Sequence, residues 1–93
     1  MEQEASYRQK PIIVKAWQWN GENYNKDFPF WIKEQIIKGK LQITFEYRGQ
    51  TYITIDKGIG SLRVNVGDYI VMGVNGGIYP CKKNTFLQTH ERV

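Results

Sequence analysis

The chain has one cysteine and one histidine, Cys81 and His90, and they are its only conventional nucleophile and base pair. Such a dyad works when a third group holds the imidazole in place. His90 has only Glu91, Arg92 and Val93 after it in the sequence, so Cys81 reads as a structural thiol. Asp68, in Val66-Gly67-Asp68-Tyr69, has the position of a turn residue between two apolar runs rather than that of a general base. Gly58-Ile59-Gly60 lacks the Lys-Ser/Thr of a phosphate-binding P-loop and the helix that follows a dinucleotide fingerprint, so these read as hairpin glycines. The carboxylates are scattered singly, with no paired acid and base and no hard-cation cage. One Cys and one His cannot form an intrachain disulfide or a structural zinc site. The expectation is a protein with no catalytic residues, no metal and no cofactor.

The aromatic and basic residues carry more information. Trp17 and Trp19 lie two apart, so on a strand they share a face with Lys15. A tryptophan face beside a lysine can stack a base and attract its phosphate. The plainer reading is that both indoles cover the core of a small sheet. Tyr79, Lys82 and Lys83 place a second aromatic near two further cations, which otherwise read as solvated charge. The candidate ligand-binding set is therefore Arg8, Lys10, Arg63, Lys82 and Lys83 for phosphate, with Trp17, Trp19 and Tyr79 for a flat ring. Lys10 and Lys82 would meet if the first strand and the Tyr79 strand were neighbours, in one sheet or across a subunit boundary. Thirteen Lys plus Arg against nine Asp plus Glu leave a net charge of +4, which favours anionic partners. No helix-turn-helix, finger or RNP-like aromatic run is present to direct the charge to a nucleic acid.

These residues must be positioned by the elements of one small domain, because 93 residues build a single core. Residues 1–9 are polar and read as a flexible N-terminus, with a single α+β domain over 10–93. The opening MEQEASYRQK has no apolar stretch, so no secretory signal is expected, and no run is long enough to cross a bilayer. Ile12–Trp19 reads as a strand ending at Asn20-Gly21. Phe28, Trp31, Ile32 and Ile36 recur at helical spacing, with Pro29 in the first turn, Gly39 at the C-cap and a Glu34–Lys38 pair on the polar side. Leu41, Ile43, Phe45 and Tyr47 alternate with polar residues, and the alternation resumes after Gly49 through Ile53 and Ile55, which predicts a hairpin. Leu62, Val64 and Val66 then lead through Gly67-Asp68 into Tyr69–Val74, a second predicted hairpin. Asn75-Gly76-Gly77 is the strongest tight-turn signal and returns the chain along Ile78–Lys82. Asn84–Glu91 fits either a helical turn capped by Asn84 or an extended tail. The sum is an α+β fold: a mostly antiparallel sheet or barrel of about six strands, with one amphipathic helix after strand one.

Two segments together resemble a family of small proteins, mostly of unknown function, encoded by tailed phages and prophages. Tyr7–Gly21, YRQKPIIVKAWQWNG, is similar to the family's opening, and Val66–Glu91, VGDYIVMGVNGGIYPCKKNTFLQTHE, to its closing stretch. The chain departs where Lys83-Asn84 stands for the usual Pro-Asp that starts a terminal helix, and where Trp17 stands for a smaller β-branched residue. The resemblance supplies no catalytic residues. It implies an accessory protein in the cytoplasm of an infected bacterium. By analogy with phage sponges that capture nucleotide-derived immune messengers, it implies a homo-oligomer that sequesters a small phosphorylated nucleotide-like ligand. A single-stranded nucleic-acid binder on a small β-barrel, and a module that inhibits a host enzyme, are the alternative expectations.

Overall fold

The computed structural model describes residues 5–7, 11–21, 27–46 and 51–93. Arg8, Lys10, the Gly49 turn and most of the predicted flexible N-terminus lie outside them. Among the described residues the order is β1 (Lys15–Gln18), α1 (Phe30–Ile37), β2 (Leu41–Phe45), β3 (Thr51–Asp56), β4 (Ser61–Val64), β5 (Tyr69–Met72), β6 (Ile78–Cys81) and α2 (Lys83–Thr89). Every strand pairing is antiparallel, as the alternation predicts. The expectation of one sheet or barrel with one helix is corrected. The strands form two three-stranded sheets, β1-β5-β6 and β2-β3-β4, and there is a second helix, α2.

The division has a local cause at Gly67-Asp68, where a hairpin was expected. The Gly67 amide donates to the Trp19 carbonyl (2.7 Å), and the Trp19 amide donates to the Asp68 carbonyl (2.9 Å). The Gln18 carboxamide donates to the Gly67 carbonyl at 3.0 Å. The turn is thereby tied to the end of β1, and β5 pairs with β1 instead of folding back on β4. The loop carries the chain from one sheet to the other. β4 and β3 then pack against β6 across the seam between sheets.

The inward faces follow the two-residue period of a strand. Leu41 stands opposite Ile55, Ile43 opposite Ile53, and Ile53 opposite Val64, while Trp17 stands opposite Ile70 in the other sheet. Their core adds Phe28 and Ile32 from the helical segment, with Trp31 and Ile36 partly buried against it. β1 is shorter than the apolar run that predicts it: residues 11–14 join no strand, and Ile12 and Ile13 are exposed.

Helix α1 begins at Phe30 with Pro29 as its N-cap, just before the first turn in which the sequence places it, and the Pro29 carbonyl accepts the amides of Ile32 and Lys33. At its other end the Lys40 amide donates to the Gln35 carbonyl (2.9 Å) and the Gly39 amide to that of Ile36 (3.0 Å). That pair of bonds is a Schellman cap, which needs a left-handed residue, and Gly39 supplies it at φ 77°. The Lys40 carbonyl in turn accepts the Asp56 amide at 2.9 Å. The end of α1 is so fixed beside the hairpin that joins β3 to β4.

Candidate anion-binding groove

The aromatic and basic residues singled out in the sequence do not converge. Trp19 is completely buried, which removes it from any ligand surface. Its ring packs 5.8 Å from that of Trp17 and 6.1 Å from Phe28, so both indoles point inward and only Trp17 keeps an exposed portion. The buried Trp19 indole N–H has no hydrogen-bond partner among the described residues. Tyr79 sits opposite Val71 and Ala16, one residue out of phase with the Pro80–Ile70–Trp17 row, and so on the other face of that sheet. β5 separates β1 from β6, so the two strands proposed to bring Lys10 and Lys82 together are not neighbours. Arg63 lies on the outer face of the second sheet, its guanidinium 3.8 Å from the Tyr52 ring centre and bonded to Glu46 (3.1 Å) and Asn65 (2.7 Å).

The Lys82 ammonium and the Lys83 backbone amide are both bonded to Asp68. One Asp68 oxygen accepts the Lys82 ammonium (3.1 Å) and the Asn65 amide (3.3 Å); the other accepts the Lys83 amide (3.3 Å). That last bond satisfies one of the orphan amides at the start of α2. The helix therefore forms over Lys83–Thr89 with Lys82, not Asn84, at its N-cap. Asp68 joins turn, strand end and helix start, which extends the turn role read from the sequence. Beside it, burial pushes the Cys81 thiol pKa up, and the Asp68 carboxylate pushes it further in the same direction. Such a thiol keeps its proton and is a poor nucleophile. His90 is stacked 4.3 Å from Phe86, which is stacked 3.9 Å from Tyr69, and its ring nitrogen bonds the Thr89 hydroxyl. Among the described residues no group of three or more His, Cys, Asp or Glu side chains is placed to hold a metal ion.

A different set of lysines lines one groove. An open groove of about 480 Å³ lies where the end of α1, the β3–β4 turn and the β5–β6 turn meet, and Lys38, Lys40 and Lys57 line it with Asp56, Gln35 and Ile78. Lys38 is paired with Glu34 (3.1 Å) on the exposed side of the helix, as the sequence predicts. That pair is worth only about 0.3–0.5 kcal/mol and opens readily. The Lys57 ammonium donates to the Ile78 carbonyl and retains further N–H groups. Lys40 has no ion-pair partner among the described residues.

The backbone shapes the groove by leaving side chains out. The β3–β4 turn closes with the Lys57 amide on the Gly60 carbonyl (2.8 Å) and has Gly58 at φ 81° as its first central residue, the type II′ pattern. The Asp56 carboxylate accepts the Gly58 amide at 2.8 Å. The β5–β6 turn forms where Asn75-Gly76-Gly77 predicts it, with the Asn75 side chain accepting the Gly77 amide at 3.0 Å. Side-chain space at Gly39, Gly58 and Gly76 is empty. At the base lies Gln35, 6% exposed, whose carboxamide makes no hydrogen bond among the described residues.

The sequence does not single out this site because Lys57 lies seventeen residues beyond Lys40 and the glycines match no phosphate-binding motif. The available signal was the position of Gln35 on the apolar face of α1, three residues after Ile32. Comparison of the chain with protein-family models, with curated proteins and with solved structures found no match.

Proposed function

We propose that the protein binds a small phosphorylated ligand in this groove and holds it without chemical change. Lys38, Lys40 and Lys57 meet the phosphate charge, and the Gln35 carboxamide hydrogen-bonds at the base. The observation that carries this reading is that three lysines, two at the end of α1 and one in the β3–β4 turn, line one open space together with Gln35. The resemblance to phage accessory proteins supports the narrower reading of a nucleotide-like ligand, sequestered in the cytoplasm of an infected bacterium. The groove supplies the phosphate half of that recognition. Its lining contains no aromatic side chain, so a base would lie against glycine backbone instead of the indoles first considered.

The test is a thermal-shift and calorimetric screen of the full chain against inorganic pyrophosphate, nucleoside diphosphates and cyclic dinucleotides. A ligand at 100 times its dissociation constant adds about 2.7 kcal/mol of stability, or roughly 10–20 °C in a domain of this size. The expected outcome is stabilisation that Lys40→Glu removes and Lys15→Glu leaves intact, with the ligand recovered unaltered after denaturation. Absence of any shift, or accumulation of a cleaved product beyond one equivalent, would end this reading. A response only to oligonucleotides, falling steeply with salt, would replace it with the strand-binding alternative.

A further inference from the structure

Three aliphatic side chains stand in solvent around this groove, one beside each segment that lines it. Ile59 occupies the second central position of the β3–β4 turn and is fully exposed; Val74, in the β5–β6 turn, is 77% exposed; Ile37, next to Lys38 at the end of α1, is 85% exposed. The residue beside the leading glycine of a two-residue hairpin is ordinarily Asn, Ser, Thr or Asp, so the fold itself asks for nothing apolar at position 59. None of the three belongs to the core or packs against it.

We propose that this rim docks on an anionic lipid surface, with Ile59, Val74 and Ile37 entering the interface and Lys38, Lys40 and Lys57 meeting lipid phosphates. The proposal rests on the groove being an anion site and names the source of the phosphate. Charge and shape choose the occupant. A second copy placed tip to tip would oppose six lysines with four carboxylates, Asp56 and the Lys38-paired Glu34 of each copy, and the excess of like charge disfavours it. A folded partner would need a continuous apolar patch, whereas these tips are separated by polar groove. A bilayer interface accepts separate apolar points with cations between them and requires no matching relief. No described helix is long and apolar enough to cross a membrane.

The experiment is co-sedimentation of the full chain with vesicles of phosphatidylcholine containing about 30% phosphatidylserine, and with phosphatidylcholine alone, at about 0.1 M salt. Binding to the anionic vesicles only is expected. Ile59→Asp and Val74→Asp should each weaken it roughly tenfold, and Lys40→Ala roughly fivefold. Both tip variants change exposed turn residues, and unchanged melting curves will show that they fold. They should also keep the parent's stabilisation by pyrophosphate, which separates the rim from the groove. Tip-dependent vesicle binding without any pyrophosphate response would retain the membrane proposal and remove the small-ligand reading. Failure to sediment, equal binding by parent and tip variants, or equal binding to neutral vesicles would overturn it. So would self-association that Ile59→Asp abolishes in sedimentation velocity without vesicle binding.

Discussion

The Asp68 junction and the lysine groove use the same kinds of residue in opposite ways. At the junction, the carboxylate, the Lys82 ammonium and the amides of Asn65 and Lys83 complete one another, leaving little for a ligand. In the groove, Lys40 and the Gln35 carboxamide have no protein partner among the described residues. The junction holds together two sheets and a helix; the groove is the space left where three turns meet. The Asp68 carboxylate reaches the Lys82 ammonium from fourteen residues away, whereas no carboxylate among the described residues pairs with Lys40.

Breaking the junction should have the largest effect. Asp68→Ala removes two amide bonds and an ion pair around a buried carboxylate, and is expected to cost about 3 kcal/mol, within the range for charged hydrogen bonds left unmade. Urea denaturation reads this, and the surviving fold should still respond to pyrophosphate. A cost under about 0.5 kcal/mol, the level of ordinary surface changes, would show that the junction is decorative.

Lys40→Glu is the converse. It should weaken pyrophosphate binding by roughly 1.5–3 kcal/mol, the worth of a hydrogen bond to a charged group, while leaving the urea midpoint unchanged. A shift of the midpoint with unaltered binding would exchange the roles assigned to the two regions.

Lys82→Ala sharpens the comparison at smaller scale. Its side chain is 68% exposed, so solvent screens the pair with Asp68. A loss below about 1 kcal/mol is expected, with ligand response intact. Calorimetry showing lost binding would restore Lys82 to the site.

The smallest effect concerns Cys81. Burial first and the Asp68 carboxylate second favour its protonated form, so the folded thiol titrates above its unfolded value. The associated stability is fully present below the unfolded thiol pKa and is lost as pH rises through the folded one. Alkylation rates followed against pH should give a midpoint higher in the native protein than in urea, and Asp68→Asn should lower it part of the way. A native midpoint at or below the unfolded one would contradict this.

Strand and helix positions were legible because they rest on local periodicity. The alternation from Leu41 to Ile55 marks a hairpin, the spacing of Phe28, Ile32 and Ile36 marks α1, and Gly39 and Asn75-Gly76-Gly77 mark where the chain turns. The second helix is not marked by local sequence because its start is satisfied by Asp68, fifteen residues earlier, rather than by Asn84. The Trp17–Trp19 pair was legible as a shared face. Spacing alone gives the same pattern whether that face meets ligand or core.

By itself, then, the sequence determined an antiparallel α+β chain, its principal turns and a net positive charge, since each follows from composition or from residues a few positions apart. The tertiary structure decided that Gly67-Asp68 crosses between sheets instead of closing a hairpin, because the partner of that turn is the distant end of β1. It also decided which cations are left over. An ammonium is most available to a ligand where no carboxylate of the fold reaches it, as at Lys40, or where its pair is wholly on the surface, as at Lys38 with Glu34, while Arg63 and Lys82 are drawn to Glu46 and Asp68.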